Sequence, residues 1–164
     1  MRHFRAIAIS IAVVALAAIV AGAAFAATQK KIAFTGSYKG TVTEKVDGSN
    51  VTALANASGK GTFVGSSKLT GTVAATTANP PCSPLNGPGT ITSSKGKLKL
   101  ALVTGSRGCA AGEEDQDSIT VSGNAKVTGG TATLKRAKGT LHFSGHYDRK
   151  AGSFNVKLTG SLTY

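Results

Sequence analysis

From Ile32 to the C-terminus the chain alternates apolar and polar residues with a period of two, the pattern of strands with one buried face. The first run places Ile32, Phe34, Gly36, Tyr38, Gly40, Val42 and Val46 on one face, interrupted by Glu44. Thr35, Ser37, Lys39, Thr41, Thr43 and Lys45 fall on the other. Asp47-Gly48-Ser49-Asn50 reads as a turn, because Gly and Asn tolerate positive φ. Shorter runs follow over Val51–Ala57, Gly61–Val64 and Lys68–Ala75, and Thr90–Ser93 with Lys97–Thr104 reads as a hairpin. The clearest runs come last: Ile119, Val121, Gly123, Ala125 and Val127; then Leu141, Phe143, Gly145 and Tyr147; then Phe154, Val156, Leu158, Gly160, Leu162 and Tyr164.

Glycine recurs mid-strand on the apolar face, at Gly36, Gly40, Gly71, Gly123, Gly145 and Gly160. Such glycines weaken a flat strand and suit a coiled sheet whose backbones approach closely. The expectation is an all-β fold, a small antiparallel β-barrel of about eight strands with short connections. A two-sheet β-sandwich is the alternative the same alternation allows. Asn79-Pro80-Pro81-Cys82-Ser83-Pro84 cannot be an interior strand.

The N-terminus reads differently. Arg2, His3 and Arg5 precede an apolar run over 6–27 that ends in Ala24-Phe25-Ala26. A charged start, an apolar centre and a small-x-small site predict a signal-peptide helix over 1–26, cleaved after Ala26, leaving one domain over 27–164. An uncleaved membrane anchor is the alternative, since about 20 apolar residues span a bilayer. Cleavage implies secretion or a place in the cell envelope or periplasm; the uncleaved alternative implies an N-terminal membrane anchor. The net charge is +12 over the whole chain, and +10 once Arg2 and Arg5 depart with the leader. Outside the cell that charge favours anionic envelope polymers or lipid head groups over nucleic acid. The two cysteines, Cys82 and Cys109, are then expected to form a disulfide. Closing that loop of about 28 residues stabilises the fold by roughly 3–4 kcal/mol in the chain-entropy account.

Gly129-Gly130-Thr131-Ala132-Thr133-Leu134-Lys135-Arg136-Ala137-Lys138-Gly139-Thr140 resembles the GGTG-x-aromatic-x-G-A-x-G segment of bacterial allene oxide cyclase-like barrels, relatives of plant allene oxide cyclases and dirigent proteins. Ala132, Leu134 and Arg136 stand where that pattern has glycine, an aromatic and glycine. The resemblance runs from about Gly59 to Tyr164 and implies an eight-stranded barrel with an apolar interior, which in the plant enzymes holds a hydrophobic ligand. No catalytic residue of the family maps onto this chain.

The chemistry-bearing residues are few. Lys135, Arg136 and Lys138 form the tightest basic cluster, with Arg149 and Lys150 read as reinforcing it, a candidate patch for anionic partners. Glu113, Glu114, Asp115 and Asp117 have the ligand type for Ca²⁺ but lack the glycine and terminal glutamate of an EF-hand loop, so no metal is assigned. His142 and His146 lie four apart on one strand face, about 13 Å along its axis, too far to share one ion. No nucleophile elbow or phosphate loop is present, and no cofactor is implied. The expectation is a non-catalytic exported barrel holding a small hydrophobic ligand. A cyclase- or dirigent-like enzyme and an envelope-polymer-binding or structural module are the alternatives.

Overall fold

The computed structural model describes residues 29–77, 80–112 and 115–164. The signal-peptide helix expected over 1–26 lies outside the described residues. Ten strands form one sheet: β1 (Lys31–Asp47), β2 (Asn50–Gly61), β3 (Gly65–Thr76), β4 (Cys82–Pro84), β5 (Pro88–Ser93), β6 (Gly96–Leu102), β7 (Arg107–Ala110), β8 (Ser118–Gly130), β9 (Lys138–Asp148) and β10 (Ser153–Thr163). Every pairing is antiparallel.

Because β8 pairs with β6 on one side and with β9 on the other, the sheet closes on itself. The barrel therefore has eight staves, β1-β2-β3-β5-β6-β8-β9-β10, and closure rules out the sandwich. The two short strands extend existing staves: β4 runs into β5, and β7 follows β6. The proline-rich stretch expected to be unable to form an interior strand thus contributes β4, paired with β7. Between β6 and β7 the backbone breaks at Val103–Ser106, and Ser106 turns inward with only 2% exposure. Its hydroxyl donates to the Val103 carbonyl at 2.7 Å. Opposite the break Gly123 has φ 154°, and Ser106 fills the space a Cβ there would need.

Side-chain parity is as the alternation predicts. Phe34, Tyr38, Leu98, Leu141, Phe143, Val156, Leu158 and Leu162 are buried, while Lys39, Lys126, His142, His146 and Lys157 face solvent. A wall studded with lysines at mid-height is solvated, since cations on a lipid-facing strand cost about 2–4 kcal/mol each at the bilayer midplane. Gly145 shows why glycine recurs inside: a Cβ there would collide with the Asn155 backbone carbonyl of the adjacent strand. Three expectations are revised. Val46 keeps its parity but projects past the rim and is 60% exposed. Gly61 ends β2, and 62–64 form a turn with Phe63 at φ 71°. Leu102, not Thr104, ends β6.

The two ends of the barrel differ. At one end the Thr131–Ala137 segment, with a 3-10 turn over Ala132–Leu134, folds across the opening. Leu134 (0% exposed) and Ala137 (2%) pack there with Ile91, Leu98, Leu141 and Leu162. Phe63 and Tyr164 stack beside this plug with ring centroids 4.5 Å apart, and Lys95 lies over Phe63 at 4.7 Å. Deeper in, Tyr38 and Ser67 satisfy each other's hydroxyls at 3.0 Å. This is the closed end. The opposite end, where β1, β3, β7 and β9 finish, is open.

Candidate functional site

Above the plugged half the interior opens into a cavity of about 310 Å³. Its existence follows from side-chain size. The inward faces of β2 and β3 carry Ala53, Ala55, Gly71 and Ala75, whereas the facing wall carries Phe143, Phe154, Val156 and Leu158. One wall is too small to meet the other. A void lined this way stays dry or takes an apolar guest.

Among the described residues three ionisable side chains, Glu44, Tyr147 and Arg149, reach this mostly apolar lining at the mouth, alongside the uncharged polar residues Thr76, Thr77, Ser83 and Gln116. Glu44 occupies an inward position of β1, and its side chain is 18% exposed. The Arg149 guanidinium meets its carboxylate at 3.2 Å, and also donates to the Gln116 carbonyl at 3.4 Å. Arg149 thus ties the 111–117 loop to β1 across the rim, a tie reinforced where its backbone N–H donates to the Asp117 carbonyl at 2.8 Å. The Tyr147 hydroxyl lies against Glu44; burial, then the carboxylate's charge, push its pKa up to about 12. Tyr147 therefore remains a neutral donor at ordinary pH.

The linkage gives an alkaline prediction. A tyrosine raised from 10.0 to about 12 on folding contributes stability that is fully present below pH 10 and lost as pH climbs toward 12. Tyr38, raised by burial, acts in the same direction. Urea midpoints measured at pH 9 and pH 11.5 should fall less for Tyr147→Phe than for the unaltered protein; equal falls would remove Tyr147 from the account.

No family model and no curated protein matches this chain. The site is read from its own geometry.

Cys82 and Cys109 oppose each other across β4 and β7 and are bonded. They join the feet of the two long rim loops, before β4 and after β7, and Pro80, Pro81 and Gly112 of those loops line the mouth. Ser83 donates to the Thr76 carbonyl and fastens β4 to the end of β3.

The basic patch divides. Lys135 and Arg136 sit on the plug and Lys138 begins β9, all exposed at the closed end. Arg149 and Lys150 follow the far end of β9 and belong to the open rim. Lys138 and Arg149 are separated by nearly the full length of the eleven-residue β9, so Arg149 and Lys150 do not reinforce the cluster. Of the acidic loop, Glu113 and Glu114 lie outside the described residues; Asp115 accepts the Ser118 backbone N–H at 3.1 Å. Among the described residues no three His, Cys, Asp or Glu side chains gather as metal ligands. His142 and His146 point outward, opposite Asn124 and Thr120 on β8 and Thr159 and Asn155 on β10.

One signal of this candidate site is visible in the sequence. Glu44 breaks an apolar face, and a carboxylate at an inward strand position needs a cation or a donor to be tolerated. Arg149 supplies the cation and Tyr147 the donor, from a turn and a strand more than a hundred residues downstream.

Proposed function

We propose that the protein is an exported binding protein that carries one small, largely apolar molecule in the open half of its barrel, oriented by a polar group at the mouth. The observation that carries this reading is the pairing of an apolar cavity of about 310 Å³ with three convergent polar side chains at its rim. That volume lies at the low end of ligand pockets, roughly 300–1,000 Å³, so the guest is compact. Arg149 and Tyr147 both donate, which favours a guest ending in a hydroxyl, carbonyl or carboxylate oxygen.

The enzymatic reading, a cyclase- or dirigent-like reaction on a hydrophobic substrate, has one observation in its favour: Glu44 and Tyr147 are titratable groups at the edge of the cavity. Against it, Tyr147 is held protonated and Glu44 is engaged by Arg149, an arrangement suited to holding a group rather than to moving protons.

The test fills the cavity. In titrations with the neutral probe N-phenyl-1-naphthylamine, the unaltered protein should give saturable fluorescence enhancement. Ala55→Phe should weaken it at least about tenfold, because Ala55 faces the void from its small-residue wall. Unchanged affinity in a folded Ala55→Phe protein would place the probe elsewhere and remove the support. Native mass spectrometry of protein recovered from its own host would then weigh the resident guest.

A further inference from the structure

Closure of the barrel sorts its charges by height. The β2–β3 turn, the β5–β6 turn, the plug and the starts of β1 and β9 meet at the closed end. They present Lys31, Lys60, Lys95, Lys135, Arg136 and Lys138, all exposed, with Lys30 and Lys97 beside them. No acidic residue lies in those segments. Every acidic residue among those described belongs to the open end: Glu44, Asp47 and Asp148 near the finishes of β1 and β9, Asp115 and Asp117 in the 111–117 loop. The open rim thus mixes these acids with Lys45, Arg149 and Lys150, whereas the closed end is uniformly cationic, a collar around a sealed base.

A second observation says what the collar faces. The described chain enters at this same end, where the Lys30 backbone pairs with Tyr164. The apolar run over 6–27 ends two residues before Gln29, so no more than about 7 Å of chain separates it from the collar. Whatever bilayer that run engages during export, the closed end is the part of the barrel nearest to it.

We propose that the closed end is a docking face for anionic lipid head groups, holding the barrel on a membrane surface with the cavity mouth turned away. Contact is electrostatic and shallow. The large side chains in and beside the plug are buried (Leu134) or stacked on one another (Phe63 and Tyr164), so no apolar wedge enters the hydrocarbon. Lysines near an anionic leaflet each tighten binding by roughly fivefold, and salt screens the attraction. The proposal stands apart from the cavity reading, since none of these residues lines the void.

The experiment uses the exported protein and sedimentation with vesicles of phosphatidylcholine alone or with 30% phosphatidylglycerol. Binding is expected only to the anionic vesicles, and is expected to fall at least about tenfold when salt is raised to half-molar. The triple variant Lys135→Glu/Arg136→Glu/Lys138→Glu should lose roughly a hundredfold in affinity, while Lys45→Glu/Lys150→Glu at the open rim should lose little. Circular dichroism and the urea midpoint report that each variant is folded; a triple-alanine version replaces the glutamates if they fail that check. Equal binding to neutral vesicles, indifference to salt, equal losses from both ends, or capture by polyphosphate with vesicles left unbound would each overturn the proposal.

Discussion

Replacing Cys82 and Cys109 by alanine is expected to lower the midpoint of thermal unfolding by roughly 10–15 °C. The bond closes a segment of about 28 residues, and removing it returns conformational freedom to the unfolded chain worth roughly 3–4 kcal/mol. The folded state loses something too. β4 has three residues and β7 four, and besides their mutual ladder they lean on Ser83–Thr76 and on the β8 edge. With the bond gone, these short extensions should open below the global transition and take the two rim loops with them. Hydrogen exchange at Gly108 and Ala110 should rise more than at Leu98 or Leu141, and probe affinity should drop even where the barrel persists. A fall of less than about 3 °C, with exchange unchanged, would show that the ladder alone holds the rim.

Leu134→Ala should cost about 2–5 kcal/mol in urea denaturation. Leu134 is fully buried and sits in the plug against Ile91, Leu98, Leu141 and Leu162, side chains fixed on four different strands. The surrounding staves cannot close in on a missing isobutyl group, because their spacing is set by closure of the barrel. The plug's own backbone is equally constrained: Ala132 holds φ 52°, and a Cβ at Gly130 would meet the Leu134 carbonyl. Leu134→Met, which keeps the volume, should cost less than about 1.5 kcal/mol. Because Leu134 does not line the cavity, the alanine variant should still bind the apolar probe while folded. A loss below about 1 kcal/mol would mean that the closed end is not sealed by this side chain.

Much of the architecture is legible in the alternation. Period-two runs from Ile32 to Tyr164 place the same side chains inside that the structure buries, since a strand offers only two faces and water selects between them. Glycines such as Gly145 mark where a neighbouring backbone leaves no room for a Cβ. The disulfide pair is legible by count, but its setting is not. Short strands of three and four residues carry no periodicity, and β4 and β7 become strands only by prolonging staves already present.

The candidate site was legible only in pieces. Glu44 stood out as a fault in an apolar face, yet its partners Tyr147 and Arg149 lie on the opposite side of the sequence and reach it through the β1–β10–β9 ladder. Lys138 and Arg149 look like neighbours when the chain is written on one line. An extended strand between them places one on the sealed base and the other on the rim.

The sequence by itself determined which face of each long strand is buried, where several of the hairpins turn, and that two cysteines were free to bond. Those properties depend on residues one to four positions apart and on their transfer from water. Only the tertiary structure decided that small residues of β2 and β3 would confront aromatic ones of β9 and β10 and leave a void, that Glu44 would meet Arg149, and that the described acidic residues would all fall at the open end. Those outcomes depend on the register and stagger with which eight staves close, and contacts between staves far apart in the chain exist only after closure.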